Sequence, residues 1–457
     1  MAGIGFELRR MLHGDRGITA RLQALLTATM VTAGPWLITM LALVLVSVIG
    51  GAGLSPGEND VFRTLITYTF AASMVTVGAV QMPMTRYLAD LLHDRQYDKI
   101  LPAFVVATGC IGVCQTVIGI VFGYAVGLDD SEVLVTTALY VAVSLNWLAM
   151  AWLTVIREHA RILGAFVVGL STVVATTWLL GDRHGIFGPL AAYAAGQGLT
   201  FLLLAGLIGR ALEHGSKCTM AIFGCVLKYP RLLAVGFCYS AGIWIDKAVF
   251  WWTDGVAIAP LLQHHPLYDS SCFLAYLTII PALALNLIVL ETRFYERYRR
   301  FYASLTQGQP LEEIEWQRAE MNETLREGAI TLLRWQGLFT VLAICFAPQI
   351  LAWLDMPDGI LRTFRMACLG AFFQVFLLIT ILVLLYFDLQ RRALIAAASF
   401  LILNGGLAWL TVTSGYATYG AGYAVAGFVS LAFAWLSLQQ ALPKLEYMAL
   451  TRAALSR

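Results

Sequence analysis

Two adjacent charges, Asp246 and Lys247, lie inside an apolar run from Gly236 to Asp254. In hydrocarbon each would cost about 3 kcal/mol on insertion scales, so a buried role has to justify them. Neighbouring residues on a helix point about 100° apart, so the two need not meet. Asp246 shares a face with Tyr239, Gly242 and Phe250, and Lys247 shares another with Ser240, Trp244 and Trp251. The Lys–Trp spacing permits a cation–π contact. The Tyr–Asp face has the character of a hydrated surface that could meet a hydroxyl-rich or cationic substrate. A purely structural alternative is a charge pair with a neighbouring helix, Arg334 being one candidate.

The same run echoes an earlier one. Thr32-Ala33-Gly34-Pro35-Trp36-Leu37 and Ser240-Ala241-Gly242-Ile243-Trp244-Ile245 share a small hydroxyl, Ala, Gly, any residue, Trp, aliphatic pattern. Pro35 removes a backbone donor and should kink its helix. Gly242 is the counterpart weak point. Paired irregular helices in corresponding positions point towards a transport pathway, so Gly34, Pro35, Trp36, Tyr239, Gly242, Trp244, Asp246 and Lys247 are its candidate residues. Close packing through small residues is the alternative.

A second cluster interleaves Arg293, Arg297, Arg299 and Arg300 with Phe294, Tyr295, Tyr298, Phe301 and Tyr302. It suits an interfacial anchor, a cytoplasmic partner or an anionic head group. An acidic stretch with helical apolar spacing follows, through Leu311, Ile314, Trp316, Met321 and Leu325. Amides recur in the apolar runs at Gln81, Gln115, Asn146, Gln197, Asn286, Gln336, Gln374 and Asn404, either as cavity lining or as interhelical glue. No catalytic constellation is visible. The pairs Glu158-His159 and His264-His265 are isolated, so no metal and no cofactor are expected.

The elements that position these residues are membrane helices. The chain has 457 residues, 59% hydrophobic and only 13% charged, with mean hydropathy +0.74. Crossing a core about 30 Å thick takes about 20 apolar residues. Twelve such runs are expected, at 23–49, 64–85, 101–125, 133–156, 162–181, 187–209, 232–253, 271–291, 330–354, 366–387, 393–413 and 419–441. They are too long for barrel strands. With a cytoplasmic N-terminus, 24 of the 30 basic residues fall on one side and four, Arg63, Arg183, Arg362 and Arg365, on the other. That bias places both termini in the cytoplasm. It also accounts for the positive charge without nucleic acid.

The fold class is therefore all-α, a polytopic membrane protein of about twelve transmembrane helices. Its expected parts are an amphipathic cytoplasmic N-terminus (1–22), a first six-helix bundle (23–210) and a cytoplasmic linker (211–231). A second six-helix bundle (232–442) with a cytoplasmic loop (292–329) and a cytoplasmic C-terminus (443–457) complete it. Six spans start and end on one side, so the halves should be parallel repeats.

The opening Met1-Ala2-Gly3-Ile4-Gly5-Phe6-Glu7-Leu8-Arg9-Arg10, with Ala33-Gly34-Pro35-Trp36, resembles the PelG family, inner-membrane transporters of the Pel exopolysaccharide system. That family is grouped with the multidrug/oligosaccharidyl-lipid/polysaccharide superfamily. The resemblance implies two six-helix bundles around a central cavity lined by spans one and seven. It implies no enzyme activity, but transport of a polysaccharide rich in N-acetylgalactosamine and galactosamine across the bacterial inner membrane. The implied partners are a PelF-like cytoplasmic glycosyltransferase, PelD-like and PelE-like membrane proteins, and the lipid bilayer. Asp246 suits a partly cationic polymer; Lys247 beside it does not. A lipid-linked oligosaccharide or multidrug flippase, and a non-transporting scaffold for a synthase complex, are the competing readings.

Overall fold

The computed structural model describes residues 46, 54–153, 159–180, 185–212, 221–357 and 359–447. Eleven helices among them are long and apolar enough to cross a membrane, and they correspond to expected spans two to twelve. The first span, 23–49, lies outside the described residues except for Val46, which is helical and buried. The amphipathic N-terminus and the Gly34-Pro35-Trp36 motif also lie outside them.

The chain forms two compact units, one within Gly34–His265 and one within Pro266–Arg457. Helix α1 (Pro56–His93) opens the described part of the first unit with a capping box. Ser55 Oγ accepts from the Glu58 amide, and the Glu58 carboxylate accepts from the Ser55 amide at 2.8 Å. At 1.5 Å per residue α1 is about 57 Å long, more than a bilayer core requires. Helices α2 (Ile100–Val126), α3 (Asp130–Leu153), α4 (His159–Leu180) and α5 (Phe187–Ala211) follow. Gly127 closes α2 at φ +84°, a left-handed cap that glycine adopts without strain. Helix α3 is the central element, packed on α1, α2 and α5. Val77, Leu88, Leu148, Ala149, Leu204 and Ile208 meet in the core.

The expected linker carries a short helix, α6 (Ala221–Lys228), which leads into α7 (Pro230–Asp254). The antiparallel strands β1 (Val256–Ala259) and β2 (Leu262–His264) then close the unit. Span seven, expected to open the second bundle, therefore belongs by packing to the unit of spans two to six, where it lies against α1. The approach is close because both helices present small residues. A Cβ on Gly236 would lie 2.1 Å from the Gly78 carbonyl oxygen, and one on Gly78 would lie 2.3 Å from Ser240 Oγ.

In the second unit, expected span eight is broken. Helix α8 (Pro266–Leu277) ends before α9 (Ile280–Ile288), whose first turn holds Pro281, and a π-helical turn follows at Val289–Phe294. The expected loop 292–329 is folded. Helix α10 (Tyr295–Thr306) turns back into α11 (Leu311–Cys345), which runs without interruption from the acidic stretch into span nine. The Glu-rich segment has helical spacing, so nothing stops the helix at the membrane edge. Span nine ends earlier than expected because Pro348 starts a separate helix, α12 (Ala347–Trp353). The Ile344 carbonyl, left without a proline amide, accepts from Arg365 Nε at 3.2 Å. Helices α13 (Ile360–Tyr386), α14 (Gln390–Ser414) and α15 (Ala421–Ala441) complete the unit, with α13 packed on α8, α14 and α15. Gly415 and Gly420, at φ +95° and +81°, form the tight turn between α14 and α15.

Candidate functional site on the seventh span

Helix α7 holds the two membrane charges among large apolar side chains. Asp246 is fully buried and Lys247 is 4% exposed. They meet: Lys247 Nζ lies 3.1 Å from Asp246 Oδ1 and 3.2 Å from Oδ2. The 100° separation of their Cβ directions is overcome by the flexible lysine stem. Helical side chains lean towards the N-terminus. The ammonium accordingly folds back to donate to the Ile243 carbonyl at 3.0 Å and rests 5.8 Å from the Trp244 ring centroid. The cation–π contact is thus present. Pairing makes burial tolerable, because two opposite charges at contact leave little net field and the lysine donors find acceptors. Tyr239 and Gly242, on the face shared with Asp246, are also buried.

An aromatic row extends from the ammonium along α1 and α7. Trp244 and Trp251 rings lie 6.4 Å apart, Trp251 stacks on Tyr68 at 4.6 Å, and Tyr68 faces Phe122 at 6.1 Å. Trp244 Nε1 donates to Met74 Sδ at 3.5 Å. Tyr68 hydroxyl donates to the Gln263 carbonyl at 2.9 Å and so ties the row to the β-hairpin. Sequence reasoning missed Tyr68, Met74 and Gly78. Nothing in an apolar run announces which of its residues faces a helix 170 positions away.

The two histidines of the hairpin diverge. His264 Nδ1 is 3.2 Å from Thr64 Oγ1, and His265 Nε2 is 3.1 Å from Asp254 Oδ2. Burial holds His264 below the ordinary imidazole pKa, with Asp60 pulling partly the other way. No group of three or more metal-ligating side chains occurs among the described residues.

The amides act as interhelical glue within each unit. Gln115 donates to Thr76 Oγ1 at 2.8 Å and Asn146 to Gln197 Oε1 at 3.0 Å. Gln336 donates to the Thr278 carbonyl at 2.9 Å, and the Tyr423 hydroxyl donates to Gln374 Oε1.

The arginine cluster divides. Arg297 pairs with Glu320 across the α10–α11 hairpin, and Arg300 with Glu296 one turn away at 2.7 Å. Arg293 and Arg299 are exposed. The interleaved aromatics fasten α10 to the end of α13. Phe294 and Phe301 are fully buried, and the Tyr298 hydroxyl donates to the Tyr386 carbonyl at 3.0 Å.

The architecture has known counterparts. An outward-facing multidrug resistance MATE family transporter of the MOP superfamily is 15% identical, with TM-score 0.65 over 98% of this chain and 99% of that one. A MATE in complex with MaL6 is 14% identical, with TM-score 0.64 over 98% and 100% of the two chains. A MOP superfamily transporter from Pyrococcus furiosus Vc1 is 14% identical, with TM-score 0.61 over 98% and 99%. At these identities the likeness shows the fold. No curated protein matches the chain. Residues 1–449 match the family model described as "PelG: Putative exopolysaccharide Exporter (EPS-E)", and the chain belongs to that family, a multi-pass membrane transporter rather than an enzyme.

Proposed function

We propose that the chain exports an amino-sugar-rich, Pel-like polysaccharide across the bacterial inner membrane, with both termini cytoplasmic. In this reading it works with a PelF-like cytoplasmic glycosyltransferase and with PelD-like and PelE-like membrane proteins. Family membership over nearly the whole chain supports export. The observation that carries the substrate class is the buried Asp246–Lys247 pair on α7. A polymer ammonium arriving at Asp246 can replace Lys247 Nζ at the carboxylate. The lysine then keeps the Ile243 carbonyl and the Trp244 face, which lower but do not cancel the cost of its displaced charge. Trp244, Tyr239 and Gly242 would share this pathway with Gly34, Pro35 and Trp36 of span one, and the aromatic faces would meet sugar C–H faces. The pathway uses no metal and no cofactor.

Removing the chain from a producing cell tests this reading. Amino-sugar polymer should accumulate inside while glycosyltransferase activity persists in extracts. Trapped lipid-linked oligosaccharide would instead indicate a flippase. Loss of synthesis with nothing trapped would indicate a scaffold.

A further inference from the structure

Where the apolar run of α1 ends and that of α7 begins, two basic side chains meet at one tyrosine, with a third close by in the chain. The Arg86 guanidinium carbon is 6.0 Å, and Lys228 Nζ 5.4 Å, from the Tyr229 ring centroid. The Tyr229 hydroxyl donates to Asp90 Oδ2 at 3.4 Å, while Asp90 Oδ1 holds Arg86 Nε at 3.1 Å. Arg231 follows two positions later, and both it and Lys228 are exposed. Asp90 engages Arg86, while the exposed Lys228 and Arg231 make the outer edge of the cluster basic. Asp90 fixes Arg86 and Tyr229 in place rather than neutralising the site.

Helix α6 supplies an apolar companion surface. Its Ile222 and Cys225 are buried, with Cys225 Sγ 3.7 Å from the Pro83 carbonyl oxygen of α1. The opposite face, Ala221, Gly224 and Leu227, is exposed, Leu227 to 81%. An exposed leucine beside a row of cations is the signature of a helix lying in the membrane interface. Chain connectivity sets the same depth. Arg86 directly follows the apolar run 64–85 and Arg231 directly precedes 232–253, so both stand at the headgroup layer.

We propose that this cluster binds an anionic phospholipid. Lys228, Arg231 and Arg86 hold the headgroup phosphate, and the acyl chains cover Ala221, Gly224 and Leu227. The surplus positive charge selects an anionic headgroup over a zwitterionic one, whose own ammonium would face the same cations. The exposed apolar face sits at headgroup depth, which favours a lipid over a soluble anion.

The full chain in nanodiscs of phosphatidylcholine, with or without phosphatidylglycerol, provides the test, read by native mass spectrometry of retained lipid. The wild type should retain phosphatidylglycerol in preference to phosphatidylcholine. Each cation removed should lower that preference about fivefold, so Lys228→Gln with Arg231→Gln should nearly abolish it. Lys228→Arg should keep it, and Leu227→Ser should weaken retention of both lipids. Melting in phosphatidylcholine alone confirms that the variants are folded, and the single Lys228→Gln variant serves if the double one does not accumulate. Equal retention of both lipids by the wild type would overturn the proposal, as would a preference that survives in the folded double variant. Displacement by millimolar inorganic phosphate would make it a free-anion site and likewise overturn the lipid assignment.

Discussion

Lys247 Nζ bridges both carboxylate oxygens of its chain neighbour Asp246, at 3.1 and 3.2 Å, inside a helix where the pair is almost fully buried. The span thus supplies one counter-charge to its own carboxylate. Under the proposed function, it is this carboxylate that an incoming polymer ammonium would reach.

The α1–α7 contact should be intolerant of any added carbon. Gly236→Ala puts a methyl group 2.1 Å from the Gly78 carbonyl oxygen, and that oxygen is backbone and cannot swing aside. Overpacking of this kind costs about 1–3 kcal/mol. Thermal melting in detergent should fall for Gly236→Ala and stay unchanged for Gly209→Ala, which has open space around it. Equal melting of the two variants would mean that the helices are not in backbone contact.

The hairpin should loosen in acid. Burial lowers the folded pKa of His264 below its ordinary 6.5, so the unfolded chain takes up the proton first. The neutral ring's stabilising contribution is complete above that ordinary value and is lost as pH falls through the lower folded pKa. Melting of the wild type should therefore drop between pH 7.5 and 5 relative to His264→Gln. Parallel curves would remove His264 as the cause.

The α10–α11 hairpin should depend on its apolar seam more than on its ion pair. Met321 is fully buried, and its replacement by Ala should cost about 2–5 kcal/mol. Arg297 and Glu320 are each about a quarter to a third exposed, so Arg297→Ala should cost about 1 kcal/mol or less. Limited proteolysis at Gln307–Gln309 should accelerate for Met321→Ala and change little for Arg297→Ala. The reverse order would place the stability in the charges.

Orientation can be read by labelling single cysteines at Leu54, Leu128 and Leu261 in a cysteine-free chain. The 24-to-4 distribution of basic residues predicts reaction with an impermeant reagent from the periplasm. Labelling only from the cytoplasm would invert the topology.

Most of the helical framework was legible because a bilayer leaves long apolar runs no alternative to helix. What escaped were features set by side-chain reach and by contacts distant in sequence. The Asp246–Lys247 pair was hidden because helical angles describe Cβ directions, whereas Lys247 Nζ sits at the end of a four-carbon stem. The folding of 292–329 was half visible in the spacing of Leu311, Ile314 and Met321. Its continuity with span nine was not, since hydropathy marks the membrane edge and not the helix end. The breaks at Pro281 and Pro348 had local signals in the prolines themselves. Tyr68 and Gly78 had none, because among many similar residues only the fold decides which of them α7 meets.

The most direct measurement compares secreted amino-sugar polymer with membrane abundance of the chain for Asp246→Asn, alongside Lys247→Met. Asp246→Asn keeps the size of the side chain and removes the carboxylate charge that faces the buried Lys247. If Asp246 receives the polymer's ammonium, secretion should fall at least tenfold while the protein accumulates normally. Normal secretion at normal abundance would contradict that role. A fall in abundance matching the fall in secretion would assign the pair to folding alone.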